Sequence, residues 1–543
     1  MTPAAARSST PSRCIAATAT RTSSPSPAPD PRSATPFTDE RLLVSDPILR
    51  PRIALLPLDD RPVNVKLPGD VAAVAGVTLD VPPAGILPSY RTAGDADGLG
   101  AWLRERAADP ATVHLVVSVD MLLYGGLIAS RTSHDTTRDV LARLDVLREV
   151  RRMRPDLPIS AVSLVTRASN SYSAAEEPTY WTEHGKEIHA LGGDAHRLLG
   201  ETEVLPLDEL TPVPADVVSD YSSRRLRNHI MNLSTLGLVE DETLDFLAIT
   251  ADDTAPFAAG SAEQVWLRHW MRMLPSGRRV LMYPGADEVG AALVARALAA
   301  NAGVTASFSV VCADAAGMER IPPYENMSLA ASASRQIRAA GAEEVAAGGD
   351  VTLVLHAPDP DRHDMFRGRP EVVDAEAVAG TVALVRERLD AGEHVALADV
   401  RYPNGADEAL VRALAEAGLL GRLEAFGGWN TAGNTLGSVV AVAAAAVVGR
   451  AAGSFDERAA RIALLTRLLD DFAYQAVVRT DAGPSLFPDI YPMTEDSQVA
   501  TAERVIRAEL TALLESMLPA DDVRIVELTL PWRRSFEIGL TLH

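Results

Sequence analysis

Apolar and polar positions alternate along this chain on two scales: short apolar runs that read as strands are separated by longer stretches of helical period. The runs stop abruptly on polar residues. The clearest is Leu247-Ala-Ile-Thr-Ala-Asp-Asp-Thr-Ala-Pro256, an apolar run that ends on two adjacent carboxylates. The same design recurs at 52–64, 113–126, 158–167, 280–290, 306–312, 351–356, 393–400 and 423–430, with a shorter run at 78–82. Continuous apolar runs suit strands buried on both faces, and strands alternating with helices at this spacing make parallel sheets. Helical period fills much of the rest, at 99–108, 135–153, 217–236, 328–340, 375–391 and 407–417.

Nine or ten strands in this rhythm predict an α/β fold. A (β/α)8-like barrel with extra strands and a C-terminal helical addition is the expected architecture, and two doubly wound α/β domains are the alternative. Residues 49–450 would form the α/β catalytic domain. After Gly453 the pattern changes to amphipathic helices at 456–474 and 501–517 and a strand pair around Pro531-Trp532, so 451–543 reads as an addition. Residues 1–48, rich in Ser, Thr, Pro, Ala and Arg without an apolar core, read as a disordered tail and not as a secretory signal.

Charge narrows the partners. Lys+Arg 51 against Asp+Glu 73 gives a net charge of −22, which argues against nucleic acid or an anionic membrane as partner. Only Cys14 and Cys312 are present, so a disulfide framework and a Cys-based zinc site are both excluded, and a reducing cytoplasm is the expected location. The most apolar stretch, Ser438 to Gly449, is shorter than the ~18–20 residues a membrane helix needs and reads as a buried helix.

In α/β folds ligands bind beyond the carboxyl ends of the strands, so the residues there are the candidate chemistry. They are Asp59, Asp60, Arg61, Asn64, Asp120, Tyr124, Arg167, Asn170, Asp252, Asp253, Asp287, Glu288, Asp399, Asn404, Trp429, Asn430 and Asn434. Carboxylates and amides take paired hydroxyls, a tryptophan face stacks on sugar C–H groups, and two carboxyl groups can work on a glycosidic bond. Asp252, Asp253 and Glu288 are the expected catalytic set, Trp429 the sugar platform and the others substrate contacts. Successive side chains of a strand point to opposite faces, so Asp252 and Asp253 can share a site only where the strand bends. In that case one carboxylate orients the substrate while its neighbour, with a raised pKa, acts as general acid, an arrangement similar to that of hexosaminidases that use the substrate's own acetamido group.

The competing chemistry is a metal-dependent hydrolase using Asp59, Asp120, Asp252 and His356 or His363, although no His-x-His or His-Glu-x-x-His spacing concentrates such ligands. A sugar- or metabolite-binding protein without turnover is the other alternative. No serine elbow, Walker loop or dinucleotide glycine loop is present, and no cofactor is expected.

Six spaced motifs also carry a resemblance. Pro57-Leu-Asp-Asp-Arg-Pro-Val-Asn64, Asp120-Met-Leu-Leu-Tyr-Gly-Gly-Leu-Ile-Ala-Ser-Arg131, Thr250-Ala-Asp-Asp-Thr-Ala-Pro256, Gly285-Ala-Asp-Glu288, Pro323-Tyr-Glu325 and Gly428-Trp-Asn-Thr-Ala-Gly-Asn-Thr-Leu-Gly437 are joined by the ending Pro531-Trp-Arg-Arg-Ser-Phe-Glu537. From about residue 50 onward the chain resembles the bacterial DUF4127 family, which is named for its unknown function, so the resemblance implies no activity. The residues themselves predict a cytoplasmic glycoside hydrolase acting on a small carbohydrate.

Overall fold

A computed structural model describes residues 51–199, 210–487, 492–519 and 521–543. The tail expected at 1–48, with Cys14, lies outside the described residues. Among the described residues, eleven parallel strands are divided between two sheets. The first contains β1 (Arg52–Leu56), β2 (Thr78–Asp80), β3 (Thr112–Ser118), β4 (Ile159–Val165), β5 (Phe246–Ala251) and β6 (Val280–Pro284), in the order β2-β1-β3-β4-β5-β6. The second contains β7 (Ser307–Cys312), β8 (Glu343–Val345), β9 (Val351–His356), β10 (Val395–Asp399) and β11 (Ala425–Gly427), in the order β11-β10-β9-β7-β8. An antiparallel pair, β12 (Ile525–Thr529) and β13 (Gly539–Leu542), completes the set.

The expected closed barrel is not what these strands form. β7 pairs with β8 and β9 and begins a second sheet, and no described pairing joins β6 back to β2. Local strand–helix alternation is the same in a barrel and in an open sheet, and only the long-range pairing of β7 separates them. Two parallel sheets are present, as in the alternative, and one buried core joins them.

Between the sheets lie two alanine-rich helices, Val289–Ala302 and Ala432–Ala452. One buried core takes in side chains of the first sheet (Ile53, Val116, Ala248), of the second (Phe308, Leu353, Ala396) and of both helices. Small side chains let the helices approach closely. A Cβ at Gly437 would lie 2.2 Å from Glu288 Cγ, and one at Gly433 2.8 Å from the Pro284 carbonyl oxygen. Helix Ala432–Ala452 is long and apolar enough to cross a membrane, yet 78% of its apolar window is buried, as the sequence predicts for this stretch.

Strand order places the candidate chemistry. In the first sheet the chain runs outward from β1 to β2 and then reverses across β1 to β3, so the switch point lies between the ends of β1 and β3. Farther along, Val165, Ala251 and Pro284 stand opposite one another in β4, β5 and β6, so three chain exits leave the sheet at one level.

Candidate active site

At the end of β1 the chain folds onto Asp59. Its Oδ1 accepts from the Arg61 backbone N–H at 3.0 Å and from Asn64 Nδ2 at 2.8 Å, and its Oδ2 from Arg61 Nε and Nη2 at 2.9 and 2.7 Å. Pro62 then occupies the first turn of helix Pro62–Val74, where its missing N–H costs nothing. Arg61 also donates to Asp287 Oδ1 at 2.5 Å, to Asp287 Oδ2 at 3.3 Å and to Glu537 Oε2 at 3.4 Å. Burial works against the guanidinium charge, but Asp287, Asp59 and Glu537 outweigh it and hold Arg61 firmly protonated.

β5 ends on Asp252 and Asp253. Asp253 adopts a left-handed backbone with φ +33, and this is the bend that adjacent carboxylates need. Asp252 Oδ2 accepts from Arg131 Nη2 at 2.5 Å, whereas Asp253 Oδ2 accepts from Arg167 Nη1 at 2.8 Å. Gly125 and Gly126 deliver Arg131: both have positive φ, and a Cβ at Gly125 would meet the Gly94 carbonyl oxygen at 2.5 Å. They turn the chain into the short helix Leu127–Thr132 that carries the arginine.

Glu176 and Glu177, from the loop after β4, lock these arginines together. Glu176 Oε2 accepts from Arg167 at 2.9 Å and Arg131 at 3.2 Å, its Oε1 from Arg534 at 2.5 Å, and Glu177 Oε1 from Arg167 at 3.0 Å. Arg534 continues to Glu537 Oε1 at 3.0 Å. Its guanidinium lies 4.5 Å from the Trp532 ring, with Arg61 at 5.0 Å from the same ring, while Trp532 Nε1 donates to Asp60 Oδ1 at 2.8 Å.

Four arginines therefore face eight carboxyl groups: Asp59, Asp60, Asp252, Asp253, Glu176, Glu177, Asp287 and Glu537. The imbalance is partly relieved by protons. Loss of water raises Asp253 to about 6, with the Asp252 charge adding to the rise and Arg167 and Arg131 opposing it. Burial raises Glu537 to about 7. Glu176 goes the other way: burial is overcome by Arg167, Arg534 and Arg131, which keep it ionised well below the usual range. One network thus holds a permanent anion and protonatable acids side by side.

The remaining expected residues divide into three groups. Asn64 and Asn434 support the cluster, the latter accepting from the Asp287 backbone N–H at 3.2 Å. Asp120 lies beneath it, accepting from the Leu164 N–H at 2.9 Å, and burial lifts it to about 7. Tyr124, Asn170, Glu288, Asp399, Asn404, Trp429 and Asn430 do other things. Tyr124 is buried under Arg227, whose guanidinium is 4.7 Å from its ring, and Asn170 is exposed, with no hydrogen bond among the described residues. Glu288 is fully buried and turned toward helix Ala432–Ala452: it accepts from Gln336 Nε2 at 2.7 Å and the Ala286 N–H at 3.0 Å. It does not pair with Asp252 or Asp253. Asp399 belongs to the end of the second sheet, accepting from the Asp407 and Arg401 N–H groups at 2.6 and 3.2 Å. Trp429 is only 4% exposed, with its ring against Phe536, and offers no open face to a sugar.

Asn404 and Asn430 shape a turn that leads back to Asp253. Both have left-handed backbones, the Asn404 N–H donates to the Asn430 carbonyl at 2.8 Å, and Asn404 Nδ2 donates to Asp364 Oδ1 at 3.0 Å. Asp364 Oδ2 accepts from the Tyr324 hydroxyl at 2.6 Å, and the Tyr324 carbonyl accepts from the Thr254 N–H at 2.8 Å. On the other side Phe366 stacks on Phe536 at 6.0 Å, and Phe536 lies 5.0 Å from the Arg534 guanidinium. A circuit of contacts therefore runs from Asp253 through Arg167, Glu176, Arg534, Phe536, Phe366, Asp364 and Tyr324 to Thr254. Asp253, Tyr324 and Phe366 are its open members, at 29%, 41% and 56% exposure. The cavities bordering the cluster, about 20 Å³ beside Arg131, Arg167 and Glu177 and about 10 Å³ beside Asp59 and Trp532, are water-sized. Asp253 therefore faces solvent on the open side of the cluster.

Among the described residues no three His, Cys, Asp or Glu side chains are placed to hold a metal ion. His356 is instead bonded to Thr381 at 2.8 Å and lies 3.2 Å from Asp407, and His363 faces the Gly368 carbonyl at 2.8 Å.

A family model described as a protein of unknown function, DUF4127, matches residues 53–541. The chain belongs to the DUF4127 family. No curated protein matches this DUF4127 chain. Among solved structures it is similar to a multifunctional pyruvate carboxylase from Rhizobium etli at 13% identity and a TM-score of 0.16. That match covers 86% of this chain and 36% of the other.

Arg131, Glu176, Glu177, Trp532, Arg534 and Glu537 were not among the candidates read from strand ends. Their signal is nonetheless in the sequence: Arg131 closes the motif that begins at Asp120, Glu176-Glu177 is another adjacent acidic pair, and Trp532, Arg534 and Glu537 stand in one short terminal motif.

Proposed function

We propose that the Asp252–Asp253 cluster is the acid–base centre of a glycoside hydrolase that acts on a small glycoside. The carrying observation is the contrast between two adjacent carboxyl groups. Asp252 is fixed by a short contact to a buried arginine, while Asp253 sits on a strained backbone, reaches solvent and holds its proton to about pH 6. Pairs of titratable groups with different environments are how an enzyme separates an acid from an anion. In this reading Asp253 protonates the leaving oxygen, and Asp252 orients a substrate group and stabilises positive charge developing on the sugar. Tyr324 and Phe366 supply the exposed aromatic faces that Trp429 does not.

The negative balance supports a neutral polyhydroxy substrate over a phosphate ester. Each of the four arginines is already engaged by carboxylates, so an incoming anion would have to displace one. A screen of chromogenic glycosides with wild type, Asp252→Asn and Asp253→Asn tests the proposal. The expected outcome is turnover by wild type that falls as the pH rises through about 6, where Asp253 loses its proton, and a loss of 10²-fold or more in Asp253→Asn. Equal rates for Asp253→Asn and wild type on a turned-over glycoside would remove the acid role.

A further inference from the structure

Helix Ala259–Met273, which follows the Asp252–Asp253 loop, turns an unusual face to solvent. Trp266, Trp270 and Met273 are 52%, 45% and 66% exposed, and His269 is lodged edge-on between the two indoles at 6.0 and 5.3 Å. Positions 266, 269, 270 and 273 form one stripe at helical spacing, and two of the six tryptophans of the chain stand on it. The buried side of the same helix, through Gly260, Ser261, Gln264 and Leu267, is already committed to the protein.

Beside the stripe the charge is reversed from that of the whole chain. Arg268 has Arg335 and Arg272 as its charged neighbours, and Arg335 has Arg338; burial lowers the pKa of Arg268 and Arg335, and these like charges lower it further. Among the described residues no carboxylate pairs with Arg268 or Arg335: Arg268 donates to the Gln264 side chain at 2.8 Å, and Arg335 to the Met282 carbonyl. Glu263, the one acid of this helix, is turned away and paired with Arg225 at 2.7 Å. In a chain of net charge −22, where most buried arginines are held by acids, an uncompensated basic ridge beside exposed tryptophans is a local exception.

We propose that this face docks onto an anionic phospholipid bilayer. Indole rings settle at headgroup depth, methionine enters the acyl boundary, and guanidinium groups meet lipid phosphates. The stripe presents no carboxylate or amide with which to recognise a specific protein surface, and a bilayer demands no matching groove. The acidity of the rest of the chain does not prevent this, because charges farther than about 8–10 Å from the contact are screened at physiological salt. The expectation from net charge, that an anionic membrane is excluded, concerns the average surface and not this face.

The test uses the full chain with large vesicles of phosphatidylglycerol and phosphatidylcholine in equal parts, against vesicles of phosphatidylcholine alone. Co-sedimentation and the tryptophan emission maximum are read at low and at physiological salt. The expected result is binding to the anionic vesicles with a blue shift, weakened about tenfold in Trp266→Ala/Trp270→Ala and in Arg268→Gln/Arg272→Gln, with each variant shown to be folded by its far-UV circular dichroism and a cooperative thermal transition. Failure to bind anionic vesicles at low salt overturns the proposal, as does equal binding by the variants. A concentration-dependent dimer abolished by Trp266→Ala/Trp270→Ala, without vesicle binding, would assign the face to a second copy instead.

Discussion

Arg61 and Asp287 are 226 positions apart in the chain, yet Nη2 of one lies 2.5 Å from Oδ1 of the other, tying the exit of β1 to the exit of β6 across the end of the first sheet. The pair is buried, with side-chain exposures of 4% and 6%. A charge removed from such a place leaves its partners unpaired in a medium that does not solvate them.

Arg61→Met is therefore expected to destabilise the protein by about 3–5 kcal/mol, since Asp59, Asp287 and Glu537 lose their shared cation. Arg61→Lys restores charge without the planar fork and is expected to recover only part of the loss. Urea denaturation of the three proteins checks the order.

Asp253→Gly is expected to leave the thermal midpoint unchanged or raise it, because glycine adopts φ +33 without the ~1–3 kcal/mol that a strained non-glycine residue stores. Hydrolysis by the same variant should be lost. A fall of several degrees in the midpoint would show that the contact to Arg167 outweighs the backbone strain.

Stability from these groups should decline as pH rises from the ordinary carboxyl range, about 4–4.5, to about 8, and level off above it. Burial lifts Asp120 and Glu288 to about 7 and Glu325 to about 8, so through that range the folded state holds protons that the unfolded chain has already released. Buried His114, lowered to about 4 by loss of water, contributes the opposite slope only below pH 6.5. Glu325→Gln is expected to flatten the decline and to be relatively more stable at pH 9 than at pH 6, as read from thermal midpoints across the range.

Gly437→Ala should be costly for its size. The added methyl would lie 2.2 Å from Glu288 Cγ and 2.7 Å from Gln336 Oε1, forcing apart the contact between helix Ala432–Ala452 and the start of helix Val289–Ala302. A loss of about 1–3 kcal/mol is expected by urea denaturation. Gly453→Ala, where nothing stands within 4 Å but φ is +70, isolates the backbone contribution.

Much of the fold was legible because each strand advertises itself locally. The runs ending at Asp59, Asp120, Arg167, Asp252 and Asp287 are continuous, apolar and closed by polar residues, and four of these five join or flank the cluster through the hydrogen bonds of Arg61, Arg131 and Arg167. Whether the strands close into a barrel was not legible, because the decision lies in the pairing of β7 with β9 and leaves no mark on either sequence. Glu288 illustrates a second limit. It follows Asp287 directly, but the start of helix Val289–Ala302 turns it toward Gln336, and one residue separates a site carboxylate from a core one. Trp429 was misjudged for a related reason: an indole at a strand end is a platform only if its face is free, and Phe536, more than a hundred positions later, covers it. The helix Trp181–Arg197 is absent from the helical stretches read in the sequence; in the fold Trp181 and His189 tie it to the Ser169 and Ala168 carbonyls.

The contact of Arg61 with Glu537 spans 476 positions, and that of Arg534 with Glu176 spans 358. Both belong to one short segment, 531–537, that also brings Trp532 against Asp60. A chain in the act of folding pairs β1 with β3 and β4 with β5 across separations of 60 and 86 positions (Arg52 to Thr112, Ser160 to Phe246), but the electrostatic balance of the cluster waits for this more distant segment. Until it arrives, Glu176 lacks one of its three arginines and Arg61 one of its three carboxylates. Competence at this centre is thus expected to appear as a late kinetic step, after most secondary structure has formed, and to be slowed selectively by changes in residues 531–537 that barely alter the sheets.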